Sequence, residues 1–159
     1  GGFAVNAHQV SRSTRDIDFL IAEEDYPKVL PLLIEGGGYK ELRREPVCAR
    51  LKSDELFFID VDILFTDRKT LDEMLKEAKE VAIRGEKFKV PSLGHLIAMK
   101  LHALHQQFEK RKTKDLPDIV ELIKRNKIDP HSQEFRTLCL KFGTGKLYEE
   151  LLRFANKHG

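Results

Sequence analysis

Cysteine is scarce in this sequence, and its two copies, Cys48 and Cys139, stand far apart. They form no Cys-x-x-Cys pair and no Cys/His ligand pattern, which argues against a structural zinc site. The same scarcity argues against a disulfide scaffold and favours a reducing compartment. Long apolar runs are also missing, because the longest, such as "VLPLLI", fall far short of the about 20 residues that a membrane span needs. Since no basic-then-apolar leader is present either, we expect a cytoplasmic protein without a membrane segment.

A strong excess of either charge is absent as well. The chain has 28 Lys and Arg against 26 Asp and Glu, a formal net charge of +2. This balance gives no global signature for nucleic acid or membrane, so any basic site must be local. With 41% hydrophobic and 34% charged residues over 159 positions, the composition predicts a soluble globular chain with a sizeable core.

The hydrophobic period changes near Pro91. Strand-like and helix-like patterns alternate before it, and helical periodicity dominates after it. We therefore predict an α+β fold, with a mixed β-sheet core over residues 1–91 and a C-terminal helical region over residues 92–159. The strongest predicted strands are "DIDFLIA" and "ELFFIDVDILF". In the helical region, Ser92 caps the first helix, and the basic run "EKRKTK" is predicted to link it to a helix from Leu116 to Arg125.

Four aspartates occupy two of the best strands. Side chains alternate along a strand, so Asp16 and Asp18 share one face of "DIDFLI", and Asp60 and Asp62 share one face of "FFIDVDILF". The opposite face of the second strand is predicted to be apolar, with Phe57, Ile59, Val61 and Ile63. Aspartate is disfavoured in strands, yet both of these strands contain an Asp-x-Asp pair, and such departures from strand propensity are typical of functional sites. One interpretation is a site for Mg²⁺, which takes carboxylate oxygens and shares them with substrate phosphates. The other is a solvated sheet face without a function.

A glycine pair precedes the first aspartate strand. Gly1 and Gly2 stand before a short apolar helix candidate, "FAVNAH", and the "SRSTR" loop connects that helix to "DIDFLI". A glycine turn before a helix lets backbone amides approach a triphosphate.

The order of these parts resembles a known family. The segment "GGFAVNAHQVSRSTRDIDFLI" together with "IDVDIL" resembles the DNA polymerase beta-like nucleotidyltransferase superfamily, whose signature is a Gly-Gly or Gly-Ser pair, a spacer, an Asp-x-Asp pair and a third carboxylate on a later strand. The segments "VPSLGHLIAMKLHAL" and "KDLPDI" are similar to small prokaryotic nucleotidyltransferases of the AbiEii type. The resemblance covers residues 1 to about 123.

The resemblance implies transfer of a nucleoside monophosphate from an NTP to a hydroxyl acceptor, assisted by two Mg²⁺ ions. It implies that the metal ligands are Asp16, Asp18 and a third carboxylate, Asp62 or alternatively Asp60. It also implies that Gly1 and Gly2 line the nucleotide phosphates. The acceptor stays open between tRNA, a protein and a small molecule, and a toxin-antitoxin or defence role with a partner protein is part of the same expectation.

Three further residues have two interpretations each. Arg12 and Thr14 match the family's Arg-x-Thr lead-in; Arg12 either binds a phosphate or is an ordinary loop residue, and Thr14 is expected to shape the turn. Lys100 falls in the middle of the apolar arc of its helix, so it either snorkels or finds an anion. The resemblance suggests nucleotide phosphates or a site carboxylate for Lys100. Asp115 either fits the family's Lys-Asp-Leu segment or starts a helix together with Asp118.

Two other functions remain open on the sequence. The first is a catalytically silent nucleotide-binding or antitoxin-like protein that acts through a partner. The second is a plain α+β domain with acidic strand faces, which predicts no metal binding.

Overall fold

The computed structural model describes residues 1–56, 58–83 and 85–157. The helices and strands within these ranges are α1 Gly2–Ala7, β1 Asp16–Ala22, α2 Tyr26–Gly37, β2 Tyr39–Glu45, β3 Cys48–Ser53, β4 Asp60–Thr66, α3 Arg68–Lys76, β5 Lys79–Ile83, β6 Glu86–Val90, α4 Leu93–Arg125, α5 Gln133–Phe142 and α6 Gly145–Lys157. A single 3-10 turn, Glu23–Asp25, precedes α2. The predicted α+β class is confirmed. No helix in the described ranges is both long and apolar enough to cross a membrane.

Residue contacts divide the chain into two compact units. The first, the sheet unit, contains Gly1–Phe3 and Arg12–Lys89, and the second, the helical unit, contains Ala4–Ser11 and the chain from Val90 onwards. The division into residues 1–91 and 92–159 stays a prediction of domain organisation. The observed units place Ala4–Ser11 with the helical residues.

The sheet unit is built on a mixed four-stranded sheet with the order β1-β4-β3-β2. Strands β1 and β4 run parallel, whereas β4 with β3 and β3 with β2 run antiparallel. Strands β5 and β6 form a separate two-stranded hairpin. The predicted mixed sheet is therefore confirmed.

One face of the four-stranded sheet is the core of this unit. Leu51, Val61 and Ile63 are buried there and cluster with Tyr26 from the start of α2. Because strand side chains alternate, the residues between them are directed to the opposite face. This opposite face, called the open face below, is the one that carries the aspartates.

Strand β4 is shorter than the sequence pattern predicts. The pattern places a strand over residues 55–65, but the observed strand begins at Asp60. The amide of Phe58 donates to the carbonyl of Glu55 at 3.2 Å, so the backbone turns before the strand starts. Ile59, expected with the apolar face, is therefore 42% exposed, and Leu56 is 95% exposed. Phe57, predicted on the same apolar face, lies outside the described residues.

The helical unit packs α4, α5 and α6 around one core. Its largest buried side chains come from both halves of α4 and from α6, and they include Leu101, Leu104, Ile119, Leu122 and Leu151. Helix α4 is interrupted at Gln107, whose φ of −141° and ψ of 55° are not helical. Ser132 caps α5 by accepting from the amide of Phe135 at 3.2 Å.

Two hydrogen bonds hold His8, the residue that follows α1, within the helical unit. His8, which is buried, has its Nε2 2.8 Å from the carbonyl oxygen of Pro91. Asn126 Nδ2 donates to the carbonyl of His8 at 3.0 Å. These bonds give a physical reason for Ala4–Ser11 belonging to the second unit, which the sequence pattern does not indicate.

The "EKRKTK" segment is helical, which corrects the prediction of a link at residues 109–114. The break falls earlier, at Gln107, so the second half of α4 already includes the basic run. Asp115 and Asp118 consequently lie inside the helix and are buried, rather than starting it. Their carboxylates bind a side chain instead of capping backbone amides, as described below.

Candidate functional site

The four predicted aspartates lie side by side on the open face. Strands β1 and β4 are in parallel register, with Asp16 opposite Asp60 and Asp18 opposite Asp62. Neighbouring strands are separated by about 4.8 Å, so four carboxylates share a small area. All four side chains are partly buried. The structure therefore brings together the four aspartates that the strand pattern singles out.

Thr14 orients the first aspartate. Its hydroxyl lies 2.8 Å from Asp16 Oδ1 and 3.0 Å from the backbone carbonyl of the same residue. Thr14 thus closes the turn into β1 and fixes the carboxylate at the same time, in agreement with its predicted role in the turn. Arg12 is partly buried two residues earlier in the same loop.

The glycine pair is packed against this turn and against the second aspartate. A Cβ on Gly1 would lie 1.5 Å from Asp18 Oδ2, and a Cβ on Gly2 would lie 2.6 Å from the Cβ of Thr14. Neither distance allows a side chain. The Gly1 nitrogen lies 3.6 Å from Asp18 Oδ2. The two glycines therefore permit a close backbone approach to the aspartates.

One carboxylate oxygen of this group is unsatisfied. Asp18 Oδ2 is buried and has no hydrogen-bond partner within the described ranges. A buried acceptor without a partner is costly, and its presence beside three other carboxylates is a common mark of a ligand site. Among the described residues, Asp18 Oδ2 is the one buried side-chain oxygen or nitrogen for which no hydrogen bond is found.

Arg50 on β3 binds the fourth aspartate. Its Nε donates to Asp62 Oδ1 and its Nη2 donates to Asp62 Oδ2, each at 2.7 Å. This bidentate contact and the negative charge of Asp62 raise the pKa of Arg50, with smaller contributions from Asp16 and Asp60 and with burial acting in the opposite direction. Arg50 is a site residue that the sequence motifs do not indicate. Its position between buried Ala49 and Leu51 assigns it to the open face, but only the strand register places it opposite Asp62.

Asp60 influences a neighbouring tyrosine. Burial raises the pKa of Tyr39, and the negative charge of Asp60 raises it further. The Tyr39 hydroxyl donates to the carbonyl of Ile59 at 2.9 Å, just before the aspartate. Asp60 and Asp62 therefore differ in their surroundings, since Asp62 is neutralised by Arg50 and Asp60 lies near a phenol.

The donor set fits a hard divalent cation only in part. Carboxylate oxygens are the ligands that Mg²⁺ prefers, and the unsatisfied Oδ2 of Asp18 offers one of them. No group of three or more His, Cys, Asp or Glu side chains converges as a metal site in the part of the chain that the structure describes. Arg50 engages both oxygens of Asp62, so that carboxylate is already occupied. Asp16 and Asp18 thus fit as two ligands of a cation. A third carboxylate ligand requires either that Arg50 release Asp62 or that Asp60 bind the cation.

Lys100 lies in the helical unit and is 6% exposed. Its Nζ donates to Asp115 Oδ1 at 2.7 Å and to Asp118 Oδ2 at 2.6 Å. Arg111 Nη1 lies 3.4 Å from the other oxygen of Asp115. The lysine has therefore found anions within its own unit, whereas the sequence analysis treated Asp115 and Asp118 separately from it.

A cavity of about 580 Å³ opens elsewhere in the helical unit. Its lining combines apolar and charged side chains, namely Phe108, Lys112, Thr113, Leu116, Pro117, Glu150, Arg153 and Phe154. None of these is a predicted site residue, so the cavity does not mark the aspartate site.

Two solved structures share the fold. The antibiotic-resistance factor ANT(2'')-Ia, known from a solution structure, is similar with a TM-score of 0.63 at 16% sequence identity, over 100% of this chain and 86% of its own. An antigenic nucleotidyltransferase-like protein from Paracoccidioides brasiliensis is similar with a TM-score of 0.52 at 17% identity, over 89% of this chain and 76% of its own. At these identities the likeness establishes a nucleotidyltransferase-like fold.

Residues 7–158 match the model of a family described as uncharacterised nucleotidyltransferase, and the chain belongs to that family. No curated protein matches it significantly. The predicted superfamily is confirmed, whereas the finer resemblance to the AbiEii type stays a prediction. The family match begins after Gly1 and Gly2, so the proposed role of the glycine pair rests on their contacts with Thr14 and Asp18.

Proposed function

We propose that the protein transfers a nucleoside monophosphate from an NTP to a hydroxyl acceptor in a Mg²⁺-dependent reaction. The observation that supports this most is the register of β1 and β4, which sets the Asp-x-Asp pair beside Asp60 and Asp62 on one open face. The family and the fold support nucleotidyl transfer in general, and the metal and the residue roles are our proposal.

Asp16 and Asp18 hold the metal in this proposal, together with Asp62 or, alternatively, Asp60. Thr14 keeps Asp16 in place, and the backbone of Gly1 and Gly2 faces the nucleotide phosphates. When bound, divalent cations lower the pKa of the attacking hydroxyl and neutralise the charge that develops on the phosphates. Arg12, in the same loop, is proposed as a phosphate partner.

The reaction forms a bond between the acceptor oxygen and the α-phosphorus, and it breaks the bond to the oxygen that bridges the α- and β-phosphorus. Pyrophosphate leaves with that oxygen. When Asp62 is the third metal ligand, the hydroxyl proton passes to Asp60. A predicted contact of Lys100 with phosphates stays untested, and it requires the ammonium to exchange one of its present carboxylate partners.

Calorimetric titration with each of the four NTPs, with and without Mg²⁺, tests the proposal. Wild type is expected to bind at least one NTP only when Mg²⁺ is present. Asp18→Asn, which keeps the shape of the side chain and removes its charge, is expected to weaken this binding by about tenfold or more. The matched control is Asp72→Asn, an exposed aspartate on α3, which is expected to bind like wild type. Binding that persists in Asp18→Asn would contradict the proposal.

A catalytically silent nucleotide-binding protein is the second candidate, and the pairing of Asp62 with Arg50 is the observation that favours it. A silent protein binds NTP but moves no nucleotide. Incubation with α-³²P-labelled NTP, Mg²⁺ and a total RNA, protein and metabolite extract separates the two candidates. Transfer of label by wild type and not by Asp18→Asn supports the enzyme, and NTP binding without transfer to any acceptor supports the silent protein.

A further inference from the structure

The open face of the sheet is divided by charge. Its β1 and β4 half carries the four aspartates, and its β3 and β2 half carries four cations. These cations, called the basic half below, are Lys40 and Arg43 on β2 and Arg50 and Lys52 on β3. All four are exposed, whereas Ala49, Leu51 and Ser53 between them are buried in the core face.

The cations oppose one another in pairs. Lys40 is the cross-strand partner of Lys52, and Arg43 is the partner of Arg50. Like charges directly opposite each other in a sheet are destabilising. Two adjacent pairs of opposed cations are therefore an exception to the usual cross-strand pairing, and such exceptions are typical of functional sites. The aspartates on β1 and β4 are the corresponding exception with the opposite charge.

A β-bulge produces this arrangement. The register of β2 with β3 shifts between Glu41 and Arg43, which leaves Leu42 without a cross-strand partner. Because the bulge inserts one residue, Arg43 joins Lys40 on the open face and Arg44 turns to the core side. Arg44 accordingly lies 4.7 Å from the ring centroid of Tyr26. Without the bulge, Leu42 would take the place of Arg43 on the open face.

The ion pairs within the basic half lie at the surface. Arg43 pairs with Glu45, which is half-buried, and Lys40 pairs with Asp54, which is exposed. Surface pairs of this kind contribute little to stability and exchange partners easily. The hydrogen bond that Lys40 donates to Asp54, together with the charge of Lys40 and to a smaller extent that of Lys52, lowers the pKa of Asp54, while burial acts in the opposite direction. Arg50 is paired with Asp62 of the aspartate half, so four cations stand against Glu45, Asp54 and Asp62, and the basic half keeps an excess of one positive charge.

We propose that the basic half is the acceptor subsite, and that the acceptor carries a phosphate ester close to the hydroxyl that reacts. This inference rests on the proposed function. The two residues of each cation pair lie on neighbouring strands, about 5 Å apart. The two pairs are separated by two residues of β3, or about 7 Å. An area of this size suits a phosphate held by several cations next to the aspartates. The same charges disfavour a polycationic acceptor.

The test uses two probes that share the phosphate ester and differ in source. The first is a labelled single-stranded 12-mer oligoribonucleotide followed by fluorescence anisotropy, and the second is unlabelled ribose 5-phosphate followed by calorimetry. Lys52→Gln and Lys40→Gln are compared with Lys79→Gln, an exposed strand lysine on the separate β5–β6 hairpin. Circular dichroism verifies that each variant is folded.

We expect wild type and Lys79→Gln to bind at least one probe and Lys52→Gln and Lys40→Gln to bind it about threefold to tenfold more weakly. If the oligonucleotide binds, the slope of log K against log salt is expected to fall by about 0.7 for each lysine removed. Binding of ribose 5-phosphate alone identifies a small phosphorylated acceptor, and binding of the oligonucleotide identifies a polymer; either result supports the proposal.

Three results would overturn it: no binding of either probe by wild type, equal binding by Lys52→Gln, or a loss in Lys79→Gln of the same size. NTP affinity is measured on the same variants. A loss of Mg²⁺-dependent NTP binding in Lys52→Gln would assign the basic half to the nucleotide and reject an acceptor subsite, while leaving the proposed function standing. Failure of the proposed function is recognised separately, by NTP binding that survives Asp18→Asn.

Discussion

Arg50 and Asp62 face each other across β3 and β4 and are joined by two parallel hydrogen bonds of 2.7 Å. In this arrangement the guanidinium takes both oxygens of a carboxylate that the proposed function needs for a metal. Arginine and cation compete for the same oxygens, because each neutralises the carboxylate. The strength of this competition is measurable without any acceptor.

Replacing Arg50 with glutamine is therefore expected to increase metal affinity. If Asp62 is the third ligand, Arg50→Gln frees its two oxygens, and we expect Mn²⁺ to bind about threefold to tenfold more tightly in a titration followed by electron paramagnetic resonance. Mn²⁺ serves as the probe because it accepts the same oxygen ligands as Mg²⁺.

Arg43→Gln is the matched control for Arg50→Gln, since Arg43 is the exposed neighbour of Arg50 on β2 and does not bind Asp62. Equal Mn²⁺ affinity in wild type and Arg50→Gln would point to Asp60 as the third ligand. An increase in both variants would indicate a general charge effect instead of competition at Asp62.

A methyl group at Gly2 is expected to disturb the metal ligands through Thr14. The Cβ of Gly2→Ala would lie 2.6 Å from the Cβ of Thr14 and 2.7 Å from its hydroxyl oxygen. Thr14 must then move, and the hydroxyl that holds Asp16 Oδ1 moves with it. We expect Mg²⁺-dependent NTP binding to weaken by about tenfold or more, measured by calorimetry.

Gly94→Ala is the control for this substitution. Gly94 is exposed near the start of α4, and a Cβ there meets no atom within 4 Å. Alanine favours helix over glycine by up to about 1 kcal/mol, so Gly94→Ala is expected to be neutral or stabilising and to bind NTP like wild type. NTP binding that is unchanged in Gly2→Ala would show that the glycine pair does not control the aspartates.

The division of β1 and β4 into an apolar face and a face with aspartates could be predicted, because the alternation of side chains along a strand is a local property of the sequence. Asp16, Asp18 and their partners on β4 follow directly from that period. The pairing of β1 with β4 is not local, and neither is the register that sets Arg50 opposite Asp62. The same limit applies to the bulge in β2, which decides that Arg43 and not Leu42 reaches the open face.

The helical unit illustrates a second limit. The apolar arc around Lys100 correctly indicates an anion requirement, but the anions come from the other half of a helix that breaks at Gln107. The sequence pattern predicts an interruption of the helix in "EKRKTK", because a run of charged and polar residues is typical of a loop. A break in a different place changes Asp115 and Asp118 from helix-start residues into buried partners of Lys100.

Burial of Cys139 predicts a loss of stability at alkaline pH. Burial raises the pKa of the Cys139 thiol from 9.0 to about 12, so the thiol keeps its proton in the folded state while the unfolded chain loses it. This contribution is fully present below pH 9 and is lost as pH rises towards about 12. In denaturant unfolding between pH 9 and 11, Cys139→Ala is expected to show a pH slope shallower than wild type by at most about 1.4 kcal/mol per pH unit.

Cys48→Ala provides the comparison, because Cys48 is only half-buried. Burial and the neighbouring Glu45 raise the pKa of Cys48 as well, so a change in the same direction but of smaller size is expected. A Cys139→Ala slope identical to that of wild type would mean that the folded protein opens around α5 before the thiol titrates.

Lys100 is expected to contribute strongly to the stability of the helical unit. Removing one partner of a buried ion cluster leaves uncompensated charge, so Lys100→Met is predicted to reduce the free energy of unfolding by about 3–5 kcal/mol. The cluster consists of the lysine with Asp115 and Asp118, and all three side chains are buried. The control is Lys112→Met, whose side chain is 41% exposed, pairs with exposed Glu109 and lies over the ring of Phe108.

The triple variant Lys100→Met, Asp115→Leu, Asp118→Leu separates stability from ligand binding. Replacing a whole buried ion cluster by apolar residues is often neutral, so the triple variant is expected to recover most of the stability lost in Lys100→Met. If it also binds Mg²⁺-NTP like wild type, the lysine is a structural residue and its predicted contact with nucleotide phosphates is wrong. If it is stable but binds NTP about tenfold more weakly, the result supports the predicted contact of the ammonium with a nucleotide phosphate, because the loss of affinity does not then follow from a loss of stability.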